Sequence, residues 1–139
     1  MVQVILYLHI IGAVLMGFYL TLPFLLAKVD GLPDDSARQG SLQVLAKLNR
    51  VGQVALLVAF LSGGYLVGTA DYPTLWWILA TVLVIGIGAS SGIMGGKMKK
   101  ALQGGSVRDK LGAIRSLSIA AGSMYFLVIT LMLFPHVFV

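Results

Sequence analysis

Four long apolar runs constrain the fold of this chain more than any other feature. They cover residues 3–26, 51–68, 74–94 and 116–134, and an α-helix needs about 20 apolar residues to cross about 30 Å of hydrocarbon. The chain of 139 residues is 58% hydrophobic and 11% charged, whereas soluble domains are about 25% charged. The sequence therefore predicts an all-α, integral membrane four-helix bundle that forms a single transmembrane domain over residues 1–139.

The basic residues predict how the bundle is oriented. All ten Lys and Arg lie in residues 28–50 and 97–115, which join the first run to the second and the third to the fourth. The connection between runs two and three carries one charge, Asp71. Short loops rich in Lys and Arg stay in the cytoplasm, so both termini and Asp71 are expected on the non-cytoplasmic side of a plasma membrane.

The net charge of +5 follows from the same loops. Basic residues near a membrane surface interact favourably with anionic lipid headgroups, so the lipid bilayer is the expected partner and nucleic acid is not. No basic residue precedes the first run, and Pro23 with Phe24 does not resemble a cleavage site. We therefore expect no cleavable signal peptide.

The two basic connections predict further helix. Pro33 followed by Asp34 and Asp35 is typical of a helix start, and an amphipathic segment then leads into run two. Residues 104–106 predict a break before run four. The segments "AKLNRVG" and "GAIRSLS" align at Arg50 and Arg115, which suggests a weak duplication of a two-helix hairpin, although any membrane helix with a basic end looks similar.

Rows of small residues predict where the helices pack. Run three places Gly88, Gly92 and Gly96 at a spacing of four, with Ser91 and Gly95 on the adjoining row. The corresponding rows are Ala55, Ala59 and Gly63 in run two, and Gly112, Ser116 and Ala120 in run four. Such rows let helix backbones approach each other in lipid. Packing within the bundle is the favoured reading; the alternative is a glycine face open to a flat ligand, a homodimer or a larger membrane complex.

Two residue types are missing, and their absence excludes several kinds of chemistry. There is no cysteine and no glutamate, and the five Asp residues lie in loops. This excludes disulfides, thiolate metal sites and thiol catalysis, and it leaves no buried carboxylate pair for acid–base catalysis. The six methionines make copper(I), which favours thioethers, a minor alternative.

His9 is the first candidate site residue. It lies six residues past Gln3, about 9 Å along a helix axis, where an ionisable side chain in a membrane segment is a functional hypothesis by default. The second histidine, His136, returns to the same side, and first and last helices of a bundle are commonly neighbours. Both are candidate haem ligands; for His136 the alternative is an interfacial imidazole in a frayed terminus beyond Pro135.

The neighbours of His9 on a helical wheel extend this hypothesis. His9, Gly12, Ala13 and Met16 share one face, which offers a porphyrin an axial ligand, space for the ring and a soft apolar contact. The alternative is a histidine that only makes a hydrogen bond on a close-packed helix face.

The segment "LHIIGAVLMGFYLTLPFLLAK" resembles the first helix of small four-helix membrane proteins grouped around HemJ-type protoporphyrinogen oxidases and copper-resistance D-like proteins. The shared pattern is Leu-His-Ile-Ile followed by Gly17, Phe18, Tyr19 and Leu20. The resemblance implies that His9 ligates haem b. Those enzymes also carry a lysine preceded by histidine in the third helix, which residues 74–94 lack, so the resemblance implies the wider superfamily rather than protoporphyrinogen oxidation.

Three function classes follow from these residues. The first is a membrane protein that binds haem b and has a redox or haem-handling role. The second is a non-enzymatic accessory or structural subunit of a membrane complex. The third is a small transporter, which would have to dimerise to form a path through the membrane. Whether the protein is an enzyme is left open by the sequence.

Overall fold

The computed structural model describes residues 1–104 and 107–138, and within them the chain is all-α. Its helices are α1 (Val2–Met16), α2 (Phe18–Asp30), α3 (Asp35–Thr69), α4 (Thr74–Gln103) and α5 (Arg108–Leu133), followed by a 3-10 helix (Pro135–Phe138). Counting α1 with α2 as one span, four helices are long and apolar enough to cross a membrane. The all-α, four-helix fold predicted from the four runs is confirmed, and it is compatible with a multi-pass membrane protein.

The helices alternate in direction around the bundle. The first span packs against α3 and α5, and α4 packs against the same two helices. We call the half that holds both termini and the connection 70–73 the terminal half. The other half holds the connection 31–34, the end of α4, the start of α5 and every Lys and Arg, and we call it the basic half.

All four spans extend further into the basic half than the apolar runs that predict them. The 35 residues of α3 span about 52 Å at 1.5 Å per residue, so α3 extends well beyond the hydrocarbon. Its start is the predicted one, because the Asp34 side chain caps it by accepting from the Ala37 amide at 2.7 Å. The amphipathic segment is thus one continuous helix with run two. Of the predicted break at 104–106, Gly104 ends α4, whereas Gly105 and Ser106 lie outside the described residues.

A polar network joins three helices near the middle of the bundle. The Tyr19 hydroxyl of α2 donates to Asn49 Oδ1 of α3 at 3.1 Å, and Asn49 Nδ2 donates to the Ser91 carbonyl of α4 at the same distance. All three residues are buried. Each polar atom therefore has a partner, as a segment surrounded by lipid requires.

The first span is interrupted twice; α5 donates a hydrogen bond at the first interruption and packs closely against the second. At Gly17 the amide donates to the Val14 carbonyl at 3.0 Å instead of to Ala13, and the Tyr125 hydroxyl of α5 donates to the freed Ala13 carbonyl at 2.5 Å. Six residues on, Pro23 has no N–H for the carbonyl of Tyr19. Gly122 of α5 lies against that carbonyl, so closely that a Cβ there would be 2.6 Å from the oxygen.

The small-residue rows pack differently from the prediction in two helices. In α4, Gly88 contacts Leu56, but Gly92 and Gly96 are exposed and have nothing within 4 Å of a Cβ position. The adjoining row packs instead, with Ser91 buried and Gly95 against Asn49. The prediction that the row of Gly88, Gly92 and Gly96 packs within the bundle is therefore wrong. The sequence could not distinguish this row from the adjoining row of Ser91 and Gly95, because both have the same spacing.

The prediction that the small-residue row in run four packs within the bundle is also wrong. Gly112 and Ser116 are exposed and Ala120 is partly exposed, while α5 packs through its other face, which carries Ser118, Ala121, Gly122 and Tyr125. The row in run two is confirmed: Ala55 and Ala59 lie against Gly12, and Gly63 lies against His9.

Candidate functional site around His9

His9 connects α1 to α3 through a hydrogen bond that crosses between two spans. Its Nδ1 lies 2.8 Å from the Ala59 carbonyl oxygen and 3.3 Å from Ser62 Oγ. The Ser62 hydroxyl itself lies 2.6 Å from the Val58 carbonyl, to which it donates. The polar residue near the start of the first run thus has a defined partner on the neighbouring helix.

This geometry fixes the tautomer of the ring. A carbonyl oxygen accepts hydrogen bonds and cannot donate them, so at 2.8 Å from Ala59 the Nδ1 atom must carry the proton. In the neutral imidazole the lone pair then lies on Nε2. Within the described residues, no hydrogen bond satisfies Nε2, and Nε2 is not among the buried unpartnered atoms. A histidine with Nδ1–H bound to a backbone carbonyl and Nε2 free has the arrangement of a metal-ligating imidazole.

A glycine lets the His9 ring approach α3. A Cβ on Gly63 would be 2.9 Å from the Cε1 atom of His9 and 3.2 Å from its Nδ1, so the ring occupies the space of the missing side chain. Gly12, predicted to leave space for a porphyrin, is instead filled by α3: a Cβ there would be 3.0 Å from the Ala55 carbonyl oxygen. The contribution of Gly12 is the close contact between α1 and α3 that places His9 beside Ala59.

Three cavities adjoin His9 in the terminal half. The terminal cleft, 390 Å³, lies among α1, α3, α4 and α5 and includes Ala13, Tyr72 and Tyr125 in its wall. The glycine groove, 470 Å³, lies between α3 and α4, with Gly64 and Trp77 in its wall. A small cavity of 50 Å³ lies between His9 and the interior of the bundle. The two larger spaces fall within the size range of sites for cofactors and other small molecules.

One further residue lines all three of these spaces. Among the described residues, His9 and Met132 are the two that the terminal cleft, the glycine groove and the small cavity share. Met132 lies near the end of α5 and packs partly buried against both hydrophobic clusters of the bundle. Met16 is buried and lines the small cavity. The structure therefore places two methionines and the imidazole on the wall of one small cavity.

His136 is located differently from His9. It lies in the 3-10 helix that follows the end of α5 at Leu133, and its side chain is exposed. The neighbouring Pro135 is in the wall of the terminal cleft, whereas His136 is in the wall of none of the three cavities that adjoin His9. Over residues 1–104 and 107–138 the structure contains no group of three or more His, Cys, Asp and Glu that could hold a metal ion.

Aromatic residues at the start of α4 position the end of α5 beside the terminal cleft. Trp76 donates from Nε1 to the Leu131 carbonyl at 2.7 Å, which fixes the end of α5 next to Met132. Tyr72 stacks on Trp76 with ring centroids 4.6 Å apart. The sequence analysis did not identify Ser62, Trp76 or Met132 as site residues. A serine in an apolar run is a visible signal for Ser62, but the partners of Trp76 depend on the register between α4 and α5.

No family model, no curated protein and no solved structure matches this chain.

Proposed function

We propose that this protein is an integral membrane protein that binds haem b, with His9 as an axial ligand and with a redox or haem-handling role. The observation that carries the proposal is the His9 ring, whose Nδ1–H is engaged by Ala59 at 2.8 Å while Nε2 is free beside cavities of 390 and 470 Å³. Haem bound there would supply one-electron chemistry. The resemblance of the first helix to that of haem-ligating proteins of the HemJ type supports the same assignment.

Each group around His9 has a role in this proposal. Ala59 and Ser62 orient the imidazole and fix its tautomer, as supporting groups do for ligating histidines. Gly63 provides space for the ring. The walls of the terminal cleft are mostly apolar, and its aromatic residues offer flat surfaces against which a macrocycle can pack.

The test is haem retention by histidine variants. The protein is expressed with excess haem and purified in detergent, and the Soret absorbance per protein is measured. His9→Ala should lose more than the roughly 10- to 100-fold in affinity that removal of a supporting group costs. His9→Asn is the sharper variant, because its amide nitrogen replaces Nδ1 opposite Ala59 but leaves nothing at Nε2; it should keep the fold and lose haem.

Tyr7→Ala is the matched control, because Tyr7 is an exposed residue of the same helix and is expected to retain haem. Retention of haem by folded His9→Asn, or wild-type protein without a Soret band, would refute the proposal. Copper found by metal analysis in such haem-free protein would favour copper(I), held by His9, Met16 and Met132 around the small cavity, since copper(I) prefers soft ligands.

The proposal includes a location and an orientation. With every Lys and Arg in the basic half, the positive-inside rule directs that half to the cytoplasm of a plasma membrane and His9 to the opposite side. The chain has no cysteine, so single introduced cysteines report cleanly. Ala70→Cys should react with an impermeant reagent in intact cells and Gly40→Cys only after lysis; the reverse pattern would overturn the orientation.

A second candidate role, an accessory subunit that forms a homodimer or joins a larger complex, is favoured by the outward face of α4. Gly92 and Gly96 are exposed with nothing within 4 Å of their Cβ positions, while Gly88 is partly occupied by Leu56. Another helix can approach such a face closely. Gly92→Leu should abolish a cross-linked dimer without unfolding the monomer. Gly112→Leu, equally open but on α5, should not; a dimer that persists in Gly92→Leu would exclude this face.

A further inference from the structure

His9 would supply one axial ligand of the proposed haem. The residue that would supply the second axial ligand is still to be assigned. The sequence offered His136 as the second ligand, yet its exposed side chain is in the wall of none of the cavities that adjoin His9. The atoms that bind haem iron axially in proteins come mainly from His, Met, Cys and Tyr. The chain has no Cys, so the candidates on the walls around His9 are methionine and tyrosine.

The tyrosines of the terminal cleft are committed to other contacts. The Tyr125 hydroxyl donates to the Ala13 carbonyl at 2.5 Å, and breaking that bond would leave a carbonyl unpaired inside the membrane. Tyr72 is stacked on Trp76 at the edge of the bundle. Met16 is 3% exposed and lines only the small cavity of the three, and 50 Å³ is too little for a macrocycle.

Met132 has none of these restrictions. With His9 it lines all three of the cavities described above, and it extends from α5, whereas His9 extends from α1. A thioether needs no hydrogen-bond partner, and an unbranched side chain with three rotatable bonds adapts to the space available. The Trp76 hydrogen bond to Leu131, at 2.7 Å, fixes the backbone from which Met132 extends.

We propose that Met132 is the second axial ligand, so that the site provides histidine–methionine ligation across the terminal cleft. This inference rests on the proposed haem-binding function. Its chemical consequence is a reduction potential higher than that of a bis-histidine site, because a thioether ligand favours the reduced iron. A high potential suits a protein that accepts electrons from a mild donor.

The experiment compares ligand variants by spectroscopy rather than by activity. Met132→Leu should keep haem through His9 but change the oxidised spectrum from low-spin to high-spin, lose the thioether-to-iron charge-transfer band and bind carbon monoxide faster when reduced. Met132→His should remain low-spin with a lower midpoint potential. This second variant keeps the proposal testable if the leucine variant is poorly folded.

Two control variants test whether the spectral change depends on the position of Met132 or follows from the loss of any methionine or histidine. Met124→Leu changes a methionine of the same helix that is partly buried against Gly86 and lines none of the three cavities, so its spectrum should not change. His136→Ala should likewise leave the spin state unchanged. An unchanged low-spin spectrum in Met132→Leu, or a high-spin spectrum in His136→Ala, would overturn Met132 as the ligand while leaving haem binding in place. Wild type without haem would instead refute the proposed function.

Discussion

The two halves of the bundle differ in how their interiors are filled. Among the described residues, every hydrophobic side chain with 0% exposure lies at the middle or in the basic half, including Leu22, Leu42, Met98 and Ile114. The terminal half encloses a histidine, small residues and the cavities around His9. Close packing stabilises a unique structure, whereas a binding site needs space. The grooves that reach the basic half, 560 and 320 Å³, have no histidine in their described walls, so we interpret the basic end as a scaffold and the end with the termini as the candidate site.

The strongest test of this comparison removes the same atoms from each half of one helix. Ile114 is 0% exposed in the basic half, and Ile129 is partly buried at the wall of the terminal cleft. Ile114→Ala should cost about 2–5 kcal/mol of unfolding free energy, because it creates a cavity in a filled core. Ile129→Ala enlarges an existing space and should cost clearly less. Unfolding in detergent measures both, and equal losses would show that the halves are packed alike.

A second test adds atoms instead of removing them. Ala101 is fully buried in the basic half, and Ala13 lies at the wall of the terminal cleft and the small cavity. Ala101→Leu should destabilise the fold by about 1–3 kcal/mol through overpacking. Ala13→Leu should fold with a smaller loss and should reduce haem binding, because its side chain fills part of the cleft. The thermal midpoint of each variant measures its stability, and the Soret absorbance measures its haem content. Normal haem binding in Ala13→Leu would show that haem binds outside the terminal cleft.

A smaller effect is expected from the hydrogen bond that closes the first interruption. Tyr125→Phe removes the hydroxyl that donates to the Ala13 carbonyl. Hydrogen bonds between helices in membranes are worth about 0.6 kcal/mol on average and up to about 1.7, so the unfolding free energy should fall by that order. Tyr7→Phe, at an exposed position of α1, is the control and should be neutral. A neutral Tyr125→Phe would mean that this carbonyl finds another donor.

The smallest effect is expected at Gly92. Because a Cβ there meets nothing within 4 Å, Gly92→Ala should leave the stability of the monomer nearly unchanged or raise it by up to about 1 kcal/mol, through the higher helix propensity of alanine. Gly95→Ala, where a Cβ would be 3.0 Å from Asn49 Nδ2, should destabilise. If Gly92→Ala lowers the thermal midpoint more than Gly95→Ala does, the Gly92 row packs inside the bundle after all.

The fold was largely predictable because it depends on local signals. Runs two and three lie within α3 and α4, run one is divided between α1 and α2 at Gly17, and run four ends one residue past α5; Asp34 caps α3 as predicted. α4 continues past run three to Gln103 and stops at Gly104, where the sequence predicts the break; hydropathy alone ends run three at residue 94, because it marks the apolar part of a helix rather than the end of its hydrogen bonding. The packing face of α4 was misassigned, because Gly92 and Ser91 lie on rows with equal spacing and only the neighbouring helices distinguish them.

Part of the candidate site was predictable from the sequence. An imidazole in an apolar run is conspicuous, so His9 was singled out as a candidate, and Ala13 and Met16 of the same predicted face line the small cavity with it. Its partners Ala59 and Ser62 are 50 and 53 residues away, and they depend on the register of α1 against α3. Met132 was one methionine among six until the fold placed it at the cavities beside His9. A contact between distant helices leaves no periodic signal in the chain.

The two interruptions of the first span also bear on the order in which the protein is completed. Gly17 frees the carbonyl of Ala13, and Pro23 leaves the carbonyl of Tyr19 without its usual donor, yet Tyr125 and Gly122, which lie against them, are on the last helix. Tyr125 follows Ala13 by 112 residues. In a membrane, the Ala13 carbonyl would lack this donor until the last helix packs against the first span. Packing of α5 therefore supplies the last hydrogen bond at the Gly17 interruption, and a chain that stops before α5 should hold its first span less stably.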